Sequence, residues 1–350
     1  MTRKTSLIAA AVAVALGGSP FVAAAQQAGT AANTLDTVIV TGTRVADRTV
    51  AESQSPIDII TPEVLQSTGT SELATALSRA LPSLNFPRPA LTDGTSGVRP
   101  AQLRGLSPDQ VLVLVNGKRR HTSAMINVNG SIGRGSSAVD INAIPIAAIE
   151  RVEVLRDGAS AQYGSDAIAG VINIVLKGSG SGGSLAVDYG QYSAGDGNKY
   201  QLSGDTGVEF GSGRGRLHVA GQISQQDESN RAGPYQGSTP NTGNFPGIGE
   251  TTFVVGDPRV DATAASANAS FDFSDRVTGY ASALLSNRDI TSFAFYRSRN
   301  HSGQSALLAQ TYPDGFVPEI NQYSKDRSLV AGVKGNTDSG WTWDLSLNHG

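Results

Sequence analysis

The sequence predicts an α+β domain followed by an antiparallel transmembrane β-barrel. Three observations predict it. The chain opens with a secretory leader. Residues 50–177 mix helical and strand periodicity around short apolar runs. From Gly178 onward the hydrophobic period becomes two, in segments of about ten residues, the length of a tilted membrane-spanning strand.

Composition bounds the function. The chain has 350 residues, of which only 16% are charged and 39% hydrophobic, with 41 Gly. Mean hydropathy is -0.15. Much of the chain is therefore polar but neutral. No apolar run of helical-span length follows the N-terminus, which argues against a helical membrane protein. A net charge of -3 gives no basic footprint for nucleic acid. Zero Cys excludes disulfides, iron–sulfur clusters, thiolate zinc and Cys nucleophiles.

Residues 1–25 read as a signal peptide. Arg3 and Lys4 form the positive region, Leu7 through Leu16 the apolar one, and Ala23-Ala24-Ala25 a small-residue cleavage site. Gly17, Gly18, Ser19 and Pro20 interrupt the apolar stretch too early for a membrane anchor. Residues 26–49 form a flexible N-terminal segment. It holds a β-branched island, residues 36–44, with Asp36, Thr37, Val38, Ile39, Val40 and Thr41 at its start. The island fits an edge strand of the next domain, or a strand kept free to pair with a partner's sheet edge.

Within 50–177, Thr61-Pro62-Glu63 is a helix start, with Thr as cap and Pro in the first turn. Leu73, Ala76, Leu77, Ala80 and Leu81 repeat at helical spacing until Pro82. Buried strands follow at 111–115 and 171–176, with Asn116-Gly117 as a turn after the first. Residues 149–156 alternate apolar with charged and so have one wet face. Two Gly-, Ser- and Pro-rich stretches, 85–100 and 121–137, are long enough to suggest a role of their own.

Seven strands are read beyond residue 178, near 184–192, 199–210, 215–225, 264–274, 277–287, 328–336 and 341–350. In one, Tyr200, Leu202, Val208 and Phe210 oppose Gln201, Ser203, Asp205 and Glu209. Tight turns at 211–214, 275–276 and 337–340 alternate with long links, as in outer-membrane barrels with short inner turns and long outer loops. A soluble sandwich also alternates its faces, but its link lengths need not. Seven strands cannot close a single-chain barrel, which uses an even number, so the barrel is expected to be incomplete here.

These pieces resemble, in order, a TonB-dependent outer-membrane receptor. The island at 36–44 is similar to a TonB box. Leu103-Arg104-Gly105-Leu106, then Val111 through Gly117, resemble the plug domain's first motifs. Ile144-Pro145 and the run from Ile149 through Ile174 resemble its long signature, with Arg156-Asp157-Gly158 where many members have Arg-Gly-Pro. The resemblance implies a plug domain at 50–177 and, at 178–350, the first strands of a 22-stranded barrel, truncated about a third of the way round.

Among candidate sites, His121, His218, His301 and His349 show no ligand spacing, so no metal is expected. The Gly-rich run 178–183 precedes a strand rather than the helix a dinucleotide needs, and is expected to be a flexible hinge. No nucleophilic triad or carboxylate pair supports an enzyme, and no cofactor is expected. Arg104, Glu150, Arg151, Glu153 and Arg156 fit either solvated strand faces or plug–barrel contacts. Arg88, Arg99, Arg119, Arg120, His121 and Arg134 lie in or beside the two long loops. They fit either loop solubility or recognition of an anionic ligand, since Arg forms bidentate forks to carboxylate or phosphate.

The resemblance implies an energy-coupled receptor and transporter in the outer membrane of a Gram-negative bacterium. It would import a scarce solute by TonB-driven displacement of the plug. Its implied partners are a TonB-type inner-membrane protein at Asp36 through Thr41, outer-membrane lipid, and a small ligand of the siderophore, haem, cobalamin or oligosaccharide class. The alternatives are a passive porin-like or structural barrel, and a TonB-dependent signal transducer. A transducer needs an extra N-terminal signalling domain, for which residues 26–35 leave little room. A porin needs neither plug nor free box strand.

Overall fold

The computed structural model describes residues 41, 49–53, 55–70, 72–92, 94–128, 130–238, 245–299, 301 and 306–350. The leader, and the island 36–44 apart from Thr41, lie outside the described residues.

The first unit is built on a mixed five-stranded sheet. Its strands are β1 Ile57–Ile60, β4 Val111–Val115, β5 Lys118–Arg119, β6 Ile149–Leu155 and β7 Gly170–Leu176, in the order β1-β6-β7-β4-β5. Strands β2 Leu84–Asn85 and β3 Gln102–Leu103 form a separate two-stranded ribbon. β4 runs parallel to β7, so its residues are buried on both faces and read as the unbroken run VLVLV. The expected turn at Asn116-Gly117 joins β4 to β5. Both residues have positive φ, 50° and 75°, the geometry of a two-residue hairpin of the primed type.

One face of this sheet carries the main core. Val113, Val152, Val154, Ile172 and Ile174 pack there with Leu65, Leu73 and Leu77 from the helices Pro62–Ser67 and Leu73–Ala80. Each such side chain contributes about 1.5–3 kcal/mol by leaving water. Both helices start where the sequence predicts. Thr61 stands at the N-cap position but its side chain makes no capping bond; it lowers the Glu63 carboxyl by hydrogen bonding to it instead. Ala220 and Leu284, from the second unit, complete this core.

The second unit is one antiparallel sheet of seven strands, paired in chain order. They are β8 Gly183–Gly190, β9 Lys199–Phe210, β10 Gly215–Gln226, β11 Arg259–Ser274, β12 Val277–Phe293, β13 Glu319–Asn336 and β14 Thr342–His349. The three longest have 16, 17 and 18 residues and extend well past the predicted limits at the ends that meet the long links. Charged positions such as Arg288 and Asp289 hide these extensions from a reading based on apolar alternation. The long links are thereby shortened to 227–258 and 294–318.

The sheet has an inverted polarity. Its concave face is polar and buried against the first unit, with Gln201, Ser203, His218, Ser282, Ser286 and Arg288 each under 9% exposed. Its convex face is apolar and bare: Leu185, Phe273, Leu345 and Leu347 are 78%, 58%, 76% and 82% exposed. A soluble protein could not keep this face in water; a lipid-facing barrel requires it. Phe210, Phe271 and Phe273 stack beside the short turns, at centroid separations of 5.9 and 5.3 Å, with the Arg214 guanidinium 5.2 Å from the Phe271 ring. Trp341 and Trp343 stand at the same end, in the manner of an interfacial aromatic belt. Among the described residues no helix is long and apolar enough to cross a membrane.

Candidate functional site

The two units meet along a seam of polar contacts, and the seam is the candidate site. At its outer end the loop after Asn85 carries Arg88. Its guanidinium pairs with Glu72 of the first unit and with Asp257, at the base of link 227–258. Tyr192 donates its hydroxyl to Asp257 at 2.5 Å. Burial works to raise the Asp257 carboxyl, but Arg88, Tyr192 and Arg99 outweigh it and hold it below its ordinary range. Burial, then the bond to Asp257, raises Tyr192. The outer links are also joined to each other. Arg231 pairs with Asp196 at 2.6 Å, and its guanidinium lies 5.2 Å from the Tyr192 ring centroid.

Midway along the seam, Arg288 of β12 pairs with the buried Asp140 and donates to the Gly97 carbonyl at 2.6 Å. Arg120 and His121 both reach Asp326 of β13. Asn116 donates to Asn268 at 3.2 Å, and Asn268 donates to the Lys177 carbonyl at 3.1 Å. Toward the short turns, Lys118 pairs with Asp344 at 2.9 Å.

The six loop residues read as ligand-facing divide. Arg134 is exposed on its loop, as a ligand contact requires. Arg88 is committed to Glu72 and Asp257. Arg99 is 5% exposed and bonds Glu72, Thr75 and the Phe86 carbonyl, so it is an internal strut rather than a ligand contact. Burial, then the neighbouring Arg88, lowers its guanidinium to about 9, which still leaves it charged at neutral pH. Arg119 turns away from the outer end. It bonds Asp166 and the Tyr163 carbonyl, and its own carbonyl accepts from Asn348 near the end of β14. Arg120 and His121 are barrel contacts through Asp326.

The five residues that fit either solvated strand faces or plug–barrel contacts pair, among the described residues, within the first unit and with Thr41. Arg104 lies 3.6 Å from Asp157, and Arg156 pairs with Asp58 at 2.5 Å. Arg151 bridges Glu150 and Glu153, at 2.8 and 3.0 Å. Glu153, wholly buried, accepts a 2.5 Å bond from Thr41. The reason is strand alternation. In β6, Val152 and Val154 face the core, so Arg151 and Glu153 alternate onto the opposite face of the sheet, where Thr41 lies. Of the island 36–44, only Thr41 is described, and the other box residues lie outside the described residues.

The sequence reading missed the residues that do hold the seam: Lys118, Asp140, Lys177, Asp257, Arg288 and Asp326. A signal existed for some. Asp205 was placed on the polar face of β9 by alternation, and Arg288 and Asp326 occupy the equivalent face of β12 and β13. Such positions, charged yet facing the same way as Ser and Gln, mark a wall that meets a polar filler.

Residues 49–171 match the TonB-dependent Receptor Plug Domain family. The chain is 31% identical over 194 residues to the vitamin B12 transporter BtuB of Vibrio vulnificus, covering 55% of this chain and 28% of the relative. It is 29% identical to the ferrienterobactin receptor of Escherichia coli, covering 59% of this chain and 28% of the relative. The chain thus spans little more than a quarter of the length of these relatives. Its fold is that of the ferric enterobactin receptor of Pseudomonas aeruginosa, at 20% identity and a TM-score of 0.59 over 85% of this chain and 41% of that one. The siderophore receptor PirA of Acinetobacter baumannii superposes with the same TM-score at 19% identity, over 85% of this chain and 40% of that one. A mixed-sheet domain wedged by polar contacts into the polar face of an inverted antiparallel sheet is accounted for on both sequence and fold: residues 49–171 match the plug domain of TonB-dependent receptors, and the seven strands after them have the fold of such a receptor's barrel wall.

Proposed function

We propose that the protein is an energy-coupled outer-membrane receptor that imports a scarce small solute when a TonB-type partner pulls on Asp36 through Thr41 and displaces the plug. The observation that carries this reading is the seam. Plug and wall are joined mainly by hydrogen bonds and ion pairs such as Lys118–Asp344 and Arg120–Asp326. A greasy interface would resist separation in proportion to its area. The half-exposed pairs such as Lys118–Asp344 can exchange one by one with water, each being worth about 0–1 kcal/mol, while enclosed pairs such as Arg120–Asp326 hold until the seam opens. The outer membrane lies outside the reach of cytoplasmic ATP, so work on the plug must arrive mechanically. The named relatives transport vitamin B12 or receive ferric siderophores, and a ligand of that kind is the proposed cargo. Exposed Arg134 is its proposed first contact on the plug.

The test is uptake of labelled cobalamin and of a panel of ferric siderophores by cells producing the full-length receptor, with and without an uncoupler. One ligand should bind the surface in both conditions and enter only in energised cells. Entry that survives dissipation of the proton-motive force would make the protein a passive pore.

A further inference from the structure

The Gly-rich connection between plug and barrel is bound to the barrel wall along its length. Lys177 pairs with Asp205 of β9 at 2.9 Å. The Ser179 carbonyl lies 2.9 Å from His218 Nδ1, and Asp205 Oδ2 lies 2.9 Å from His218 Nε2. Gly207 N–H then donates to the Gly182 carbonyl at 2.9 Å. His218 and Asp205 are enclosed, their side chains 5% and 3% exposed. Gly207 is essential to this arrangement: a Cβ there would stand 2.3 Å from the Ser179 carbonyl oxygen and 2.7 Å from the Ser181 nitrogen. The connection therefore lies flat on the wall where Gly207 presents no side chain.

We propose that His218, Asp205 and Gly207 form a clamp that anchors the C-terminal end of the plug to the barrel wall, so that only the plug upstream of Lys177 moves when the N-terminal segment is pulled. The functional half of this proposal rests on the import reading above; the clamp itself does not. Each ring nitrogen faces an acceptor, the Ser179 carbonyl of the connection on one side and the Asp205 carboxylate of the wall on the other, so the ring is held between the two. The charged groups facing it are Asp205 on β9 and, across that carboxylate, Lys177. Glu209 and Arg216 stand beyond Gly180, and neutral Asn268 pairs with His218 in register on β11.

The full-length receptor in outer membranes tests the clamp by the rate of deuterium labelling of the Gly207 amide, whose N–H the Gly182 carbonyl accepts, measured without ligand or energy. With His218 intact, labelling should be slow. His218→Ala should speed labelling at least ten-fold, and His218→Gln, which keeps an N–H donor and an acceptor, should return it toward the original rate. Gly207→Val should speed labelling of the amide at that position without touching a charge. Normal heat-modifiable gel mobility confirms that each variant has assembled. Equal labelling in all assembled variants would overturn the clamp, whatever the transport result. If labelling responds as expected, energised uptake should fall at least five-fold in His218→Ala while surface binding stays normal. Unchanged uptake there would remove the anchoring role.

Discussion

Asp140 of the plug and Arg288 of β12 form an ion pair whose side chains are 2% and 6% exposed. Burial raises the Asp140 carboxyl, and Arg288 opposes the rise. Removing one partner of an enclosed pair typically costs about 3–5 kcal/mol, whereas removing both costs far less. Arg288→Met should therefore lower the urea concentration at which the plug becomes protease-sensitive in the intact receptor, and adding Asp140→Asn should recover much of it. A carboxyl with a raised pKa in the docked state contributes stability at low pH that is lost as pH rises. The single variant should accordingly hold its plug better near pH 5 than near pH 8.

The contact of Arg88 and Tyr192 with Asp257 titrates the other way. The carboxyl is held below its ordinary range, so its contribution is complete above the usual value of about 3.9 and is lost only as pH falls further. Spin labels at positions 90 and 249 should report one short distance from pH 8 down to about pH 4, and a broader distribution below it. Asp257→Asn should broaden it at every pH.

Gly170 has a φ of 146°, and a Cβ there would sit 2.3 Å from the Leu155 carbonyl oxygen and 2.4 Å from Leu103 Cδ2. Gly170→Ala combines backbone strain with a clash against β6. It should destabilise the plug by on the order of 3 kcal/mol, read as earlier plug proteolysis. The equivalent change at Gly105, where nothing lies within 4 Å of the added atom, should cost less.

Arg99 and Arg134 are both loop arginines and should behave differently. Arg99→Ala breaks bonds to Glu72, Thr75 and Phe86 and should loosen the plug. Arg134→Ala should leave plug proteolysis unchanged and weaken ligand binding about ten-fold, as for loss of a charge-assisted bond of about 1.5–3 kcal/mol. Normal affinity in Arg134→Ala would take this residue out of the ligand site.

Strand addition to a partner depends on main-chain donors, so Ile39→Pro should abolish energised uptake while surface binding stays near normal. Ile39→Ala should do much less. Parallel loss of binding and uptake in Ile39→Pro would mean that the segment is instead a structural edge of the plug.

The sequence alone determined the order of units, the helices after Thr61 and at Leu73–Ala80, the plug strands, and which face of each barrel strand is apolar. These follow from local rules: periodicity of 3.6 or 2, Pro as a stop, Asn-Gly as a turn. It also placed Asp205 on the polar face of β9 before any partner was known. Tertiary structure decided what those polar groups meet. Glu153 and Arg151 fit a wet strand face or a wall contact, and the fold pairs them with each other and Glu153 with Thr41. Arg99 read as ligand-facing, yet its φ of 54° folds it back onto Glu72. The Gly-rich run read as a flexible hinge, yet the missing side chain of Gly207 lets it lie against the wall beside His218. Periodicity reports which face of a strand is polar, whereas a charge finds its partner through sheet order and loop paths, which bring together residues more than a hundred positions apart.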